Sequence, residues 1–427
     1  MRITISENKR YFKNEKNNNF FYFADTCWSA FTNIDLDSWE YYLQYRRRQG
    51  FNVLQINILP QWDASETNLD FHPFEKDKDG FYNYFNIKPD YFQHAKEMCE
   101  MAKKYGFELA LVVLWCNYVP DTWANKLMKS KPMPYDAIDN YIKQVHETFS
   151  TFFPFYIISG DTDLENETSI NHYRKASHLL KELAPNCLQT YHIRGRMVEI
   201  PMEIIDEIDF YMYQTGHSSK ECDKEMCYKM PEYFLKTYPI KPLINSEPCY
   251  EAIGFAGNMY GRFHQFDIRR AAWQSLLSGA SAGIAYGSGG VYSWHRYGKH
   301  FSPCIGEGFD MPHPWQIALH YPGAWDYSDI KHFFHEYEIT ELNSKQEILL
   351  NDTQEIRVAE FKNKYFIYVP ENTTIRLKIN INDIQTVTIL DLETRHKEIG
   401  NAYQIDSICC LEMHTFAHDV LYVVELK

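Results

Sequence analysis

The sequence predicts an α/β protein: a (β/α)8 TIM barrel followed by a small antiparallel β-sandwich. Three observations predict it. Eight short apolar runs alternate with eight longer amphipathic stretches between residue 20 and about residue 337. The runs are almost continuously hydrophobic, as parallel strands covered on both faces are. Beyond residue 340 the texture changes to short β-rich runs separated by turn residues, with no helical period.

Taken in order, FFYFAD at 20–25 is followed by a helical stretch at 36–49, and FNVLQINIL at 51–59 by one at 89–105. FELALVVLW at 107–115 leads to 135–152, and FYIISGD at 155–161 to 169–184. LQTYHI at 188–193 leads to 201–207, and DFYMYQTG at 209–216 to 224–237. PLINSE at 242–247 leads to 264–278, and AGIAYG at 282–287 to a last helix near 327–337. Each apolar run has the length of a buried strand and is rich in β-branched or aromatic residues. Gly50 and Gly106 stand where C′ glycines end helices, and Pro154, Pro185 and Pro239 punctuate other helix ends. Eight is the strand number that closes a barrel. An open doubly wound sheet is the rival, and it lacks the GxGxxG or P-loop turn expected after its first strand. The barrel is assigned to residues 1–338 and the sandwich to 339–427. Tyr365, Phe366 and Tyr368 in the sandwich read as core strand residues, so that domain is expected to brace the barrel.

Composition narrows the function. Hydrophobic residues make up 45% and charged residues 23%, enough for a sizeable core. The aromatic share is 16%, which suits sugar-binding clefts, because the apolar face of a sugar packs on a π surface, and suits plain core filling equally. With 43 basic and 57 acidic residues the net charge is −14, which disfavours nucleic acid as a partner. The basic run Arg46-Arg47-Arg48 falls at a helix end, where cations complement the helix dipole. The first 16 residues contain no apolar leader and no run approaches a membrane span. The ten cysteines are scattered without a CxxC pattern. A cytoplasmic protein with reduced thiols is expected, acting on small, imported substrates.

A barrel carries its active site at the C-terminal ends of its strands. The polar or aromatic residues there are Asp25, Asn57, Trp115, Asp161, His192, Gln214, His217, Glu247 and Tyr286, and Trp28, Tyr250 and Trp294 follow in adjoining loops. Two acids stand out: Asp161 in SGDTDLENE and Glu247 in NSEPCYE. Strands four and seven lie on opposite sides of an eight-stranded ring, so carboxylates at their tips can face each other. Glycosidic cleavage needs that arrangement, with one acid to protonate the leaving oxygen and one carboxylate acting from the other face. Asp161 is expected as general acid and Glu247 as nucleophile or base, with the remaining residues contacting substrate. Glu251 is the rival within the same motif. HxH, HExxH and GxSxG are absent, so neither a metal, another cofactor nor a serine nucleophile is expected.

Seven motifs occur in order: ADTCW at 24–28, QGFNV at 49–53, GD at 160–161, QTGH at 214–217, SEPCYE at 246–251, RRAAW at 269–273 and SGASAGIAYG at 278–287. Together they resemble the apiosidase-like glycoside hydrolases over nearly the whole chain. The resemblance implies a TIM barrel with a C-terminal β domain. It also implies a catalytic Asp after strand four and Glu after strand seven, which fall on Asp161 and Glu247. It implies release of a terminal sugar, apiofuranose or a related pentose or deoxy-sugar, from a small glycoside. Around Asp161 the chain departs from the family's GGDRNP-like pattern and adds a second acid, Asp163, which points to altered substrate contacts. The alternative from another class is a non-catalytic carbohydrate-binding protein on the same fold.

Overall fold

The computed structural model describes residues 1–60, 62–128, 131–304 and 307–427. Eight parallel strands form one sheet: β1 (Tyr22–Thr26), β2 (Val53–Asn57), β3 (Glu108–Trp115), β4 (Phe155–Gly160), β5 (Gln189–Thr190), β6 (Tyr211–Gln214), β7 (Leu243–Glu247) and β8 (Gly283–Tyr286). Their order, β5-β4-β3-β2-β1-β8-β7-β6, is cyclic, and a parallel bridge between His192 and Met212 closes the ring between β5 and β6. Every residue of these strands is buried, which is why they read as unbroken apolar runs. The outer layer includes helices Leu36–Arg48, Pro89–Lys104, Ala137–Phe149, Glu167–Leu183, Met226–Thr237, Gln265–Leu277 and Gly323–Glu336. Asp35 caps the first of these, its carboxylate accepting from the Ser38 N–H at 2.9 Å. Gly50 and Gly106 adopt φ values of 85° and 83° just beyond the first two, conformations that a side chain resists.

Three elements were silent in the sequence. The N-terminal segment, for which the sequence predicts no strand, folds into a three-stranded antiparallel sheet (Ile3–Ile5, Phe12–Asn14, Asn19–Phe20). Phe12 drives it into place, packing edge-on against Phe155 at 5.6 Å and Phe210 at 5.2 Å, beside the starts of β4 and β6. Hairpins also interrupt the loops after β2 (Phe74–Lys76 with Tyr82–Ile87) and after β7 (Gly254–Phe255 with Met259–Arg262).

The C-terminal strands form a six-stranded antiparallel sheet and a three-stranded one, joined by a shared core that includes Val358, Ile367, Ile375, Leu377, Leu411 and Tyr422. Phe366 points the other way, with its ring 5.4 Å from Phe333 and 5.5 Å from Tyr337 on the last barrel helix. Arg269 pins the same seam: it pairs with Asp326 at 2.9 Å and with Asp419, which also accepts from the Tyr368 hydroxyl at 3.0 Å. Among the described residues no helix is long and apolar enough to cross a membrane.

Candidate active site

The C-terminal ends of the barrel strands open into a cavity of about 260 Å³. Its walls are aromatic, with Trp28, Trp115, Trp123, Tyr250, Tyr292 and Phe309, and its polar lining is crowded with ionisable groups: Asp63, Asp161, Glu247, Glu307, Arg194, Arg196 and His217.

Glu247 ends β7 beside an irregularity in the β6–β7 pairing, where Gln214 comes opposite it. The backbone N–H groups of Thr215 and Gly216 both donate to its carbonyl, at 3.1 and 3.2 Å, fixing the strand tip. Two histidines hold its carboxylate. His217 Nε2 lies 2.9 Å from Oε1, and His192 Nε2 lies 3.2 Å from Oε2, the second an electrostatic contact rather than an aligned hydrogen bond. The far nitrogens of both rings face backbone donors: His217 Nδ1 accepts from Tyr250 N–H at 3.4 Å and His192 Nδ1 from Asp161 N–H at 3.2 Å. That assigns the ring hydrogen to Nε2 in each case, so both rings present N–H to the carboxylate. Burial alone raises the pKa of Glu247, but the two histidines outweigh it and bring the group down to about 2. Glu247 is therefore an ionised carboxylate through the ordinary pH range.

Asp161 follows β4 and sits in the opposite regime. Its φ of 50° lies in the left-handed region, which Asp tolerates better than most residues. The bond from its N–H to His192 and the 2.8 Å bond from Trp123 Nε1 to its carbonyl hold that conformation. Gln214 Nε2 donates to Oδ1 at 2.6 Å. Burial, and then the charges of Glu247 and Asp63, push its pKa well above the usual carboxylate range; the Gln214 bond and Arg194 oppose them and lose. Gly160 allows this geometry, because a Cβ there would stand 2.0 Å from Trp115 Cε3. Two carboxyl groups in one cavity thus have their protonation driven apart, as acid–base pairs do.

The family model for the apiosidase-like catalytic domain matches residues 6–341. The chain belongs to the apiosidase-like family. This makes the protein a glycosidase by family, with a carbohydrate as its substrate. A solved structure described as a glycoside hydrolase superposes with a TM-score of 0.80 at 21% identity, covering 99% of this chain and 97% of its own. A family 5 glycoside hydrolase from Bacteroides vulgatus gives a TM-score of 0.79 at 21% identity, covering 99% and 93%. At that identity the likeness speaks for the fold. No curated protein sequence matches the chain.

In this apiosidase-like barrel, Trp28, Trp115, Gln214, His217 and Tyr250 line the cavity with Asp161 and Glu247. The Trp28 indole N–H donates to the Tyr250 hydroxyl at 3.0 Å. His192 is fully buried, 3.2 Å from the Glu247 carboxylate, and is not part of the cavity lining. Four other expected substrate contacts also lie outside the cavity lining. Asp25 is fully buried, paired with Arg46 at 2.7 Å and accepting from the Tyr42 hydroxyl at 2.6 Å. Arg46 consequently turns inward, and complementing the helix dipole is not its main role. Tyr286 donates its hydroxyl to Glu251 at 2.6 Å, away from the cavity. Trp294 is buried and stacks on Trp315 with centroids 4.3 Å apart. Asn57 is buried and is not part of the cavity lining. Glu251 accepts from the Gly323 N–H at 3.0 and 3.1 Å, capping the last barrel helix, so it does not face the site.

Several lining residues escaped the sequence reading: Asp63, Trp123, Arg194, Arg196, Tyr292, Glu307 and Phe309. Trp123 opens a short helix, Trp123–Met128, and the others stand in loops beyond strand tips, where sequence gives no direction to a side chain. Arg194 and Arg196 follow His192 by two and four residues, and the strand-tip argument, extended along the loop, would have reached them. Glu307 has its pKa pushed well above the usual range by burial and by Asp161, Asp63 and Glu247.

Proposed function

We propose that the cavity is the active site of an exo-acting glycosidase in which Asp161 is the general acid and Glu247 the nucleophile or base. The observation that carries the reading is the contrasting setting of two carboxyl groups that line one cavity, Glu247 held by two histidines and Asp161 buried among further acids. Glu247, held by two imidazole N–H groups, stays ionised and can attack the anomeric carbon or activate water. Asp161, buried beside other carboxylates, keeps its proton and can deliver it to the leaving oxygen. The gain from such a positioned acid is about 10²–10⁴-fold in rate. Buried, Glu247 is poorly solvated and more reactive toward a developing oxocarbenium ion than an exposed carboxylate.

A cavity of about 260 Å³ lies at the small end of ligand pockets, typically ~300–1,000 Å³, which suits one terminal sugar with the rest of the substrate outside. Family membership favours apiofuranose or a related pentose or deoxy-sugar carried on a small glycoside or short oligosaccharide. Residues 1–338 form the catalytic unit in this reading, and 339–427 brace it through the Arg269 network. The free, buried cysteines among the described residues suit a reducing compartment, so the cytoplasm is the proposed place of action. The test is a panel of aryl and natural glycosides differing only in the terminal sugar, with apiosides included. Release of a terminal pentose or deoxy-sugar is expected. Turnover confined to intact polysaccharide, or no turnover at all, would overturn the proposal.

A further inference from the structure

The loops after β2 and β8 enclose a second cavity at the same end of the barrel, about 420 Å³ in volume. Its lining includes Trp62, Phe71 and Tyr82 together with Glu66, His72 and His300. A tryptophan pair links it to the first cavity. Trp62 meets Trp123 edge-on, with ring centroids 5.9 Å apart at 80°. Trp123 lines the first cavity and donates its indole N–H to the Asp161 carbonyl. Asp63, the next residue after Trp62, also lines the first cavity.

A general acid protonates the leaving oxygen, so the leaving group must depart on the side where that acid stands. The second cavity meets the first at Trp123, which bonds the Asp161 carbonyl, and so lies on the Asp161 side. We propose that this groove is the leaving-group subsite and that its ligand is a sugar ring. The inference rests on Asp161 being the general acid and adds the residues and ligand class of a second binding site.

The chemistry of the lining favours a sugar. Trp62, Phe71 and Tyr82 offer π surfaces to the apolar face of a pyranose or furanose. Around them stand hydrogen-bonding groups: the exposed Glu66 carboxylate, His300, and the polar edge made by the Tyr82 hydroxyl 3.1 Å from His72 Nδ1. A bare aryl ring would cover these groups without pairing them, which costs free energy; a polyol pairs with them.

Two measurements test the subsite independently. The first compares kcat/KM on a disaccharide with that on the glycosyl fluoride of the same terminal sugar, which carries no ring on its leaving side. Trp62→Ala and, as a variant at an exposed position that fills the groove, Glu66→Trp should each lower the disaccharide value at least ~10-fold more than the fluoride value, mainly through KM. Equal losses on both substrates in both variants would overturn the proposal. The second is saturation-transfer NMR with a mixture of free pentoses, hexoses, deoxyhexoses and uronic acids. Transfer to at least one sugar is expected in the wild type and in Glu247→Gln, and its loss in Trp62→Ala and Glu66→Trp. Transfer that is absent, or that survives both groove substitutions, would overturn the proposal. If the wild type hydrolyses no glycoside yet groove-dependent transfer persists, the reading of Asp161 fails while the sugar site stands.

Discussion

Gly160→Ala should cripple the enzyme through a single methyl group. The added Cβ would lie 2.0 Å from Trp115 Cε3, against a carbon–carbon contact of ~3.5 Å, a deficit of about 1.5 Å. Trp115 has little room to yield, since its ring meets Trp28 at 5.4 Å and His192 at 5.9 Å. The strain must therefore pass into the tip of β4, which carries Asp161. Overpacking of this kind costs about 1–3 kcal/mol of stability. A displacement of ~1 Å in a reacting group costs on the order of 10²-fold in rate, so kcat should fall by about that factor. Steady-state kinetics on a small glycoside, together with urea unfolding, reads both quantities. The double variant Gly160→Ala/Trp115→Leu should regain stability relative to the single variant, because the three atoms nearest the added Cβ all belong to the Trp115 ring. Near-normal kcat in Gly160→Ala, or no recovery of stability in the double variant, would refute the reasoning.

Other outcomes follow from the same geometry. The pH profile of kcat/KM should lack a steep acid limb near neutrality, because Glu247 titrates at about 2, and should fall on the alkaline side as the raised Asp161 loses its proton; a profile governed by a group titrating at the ordinary carboxylate value would contradict this. Asp25→Ala should destabilise the fold by about 3–5 kcal/mol in denaturant titration, because it leaves Arg46 buried without its partner. A cost below ~1 kcal/mol would show the pair to be dispensable. Glu251 is pushed up to about 7 chiefly by burial, so its neutral form is the one the fold prefers. Its contribution is full below the ordinary Glu value of ~4.3 and is lost as pH rises through about 7, and Glu251→Gln should flatten that part of the stability profile while retaining turnover.

The barrel was legible because its strands are buried on both faces, and burial on both faces writes an unbroken apolar run such as FELALVVLW into the chain. The N-terminal three-stranded sheet was not, because strands of two or three residues carry no periodicity and a few scattered apolar residues, Ile3, Phe12 and Phe20, do the anchoring. At the site, strand-tip logic brought Asp161, Glu247, Gln214 and His217 to one cavity. The same logic failed for Asp25, since an acid at a strand tip looks identical whether it meets a substrate or an arginine from the helix outside. The basic run at Arg46 held the missing signal, but nothing in sequence says that one of three arginines turns inward. Tyr286 and Glu251 illustrate the same limit: each satisfies the other, and pairing is a property of three dimensions. Trp62, Glu307 and the short helix that Trp123 opens depend on loop paths that local sequence does not encode.

The most direct test of the account separates the two carboxyl groups by leaving-group chemistry. Asp161→Asn should lose about 10²–10⁴-fold on a glycoside with a poor leaving group and far less on an activated aryl glycoside that needs no proton. Glu247→Gln should lose activity on both, because the carboxylate serves the bond whatever departs. The double variant should be little worse than Glu247→Gln alone, since both groups act in one transition state. Equal losses for Asp161→Asn on both substrates, or near-normal turnover by Glu247→Gln, would contradict the assignment of acid and carboxylate on which the account rests.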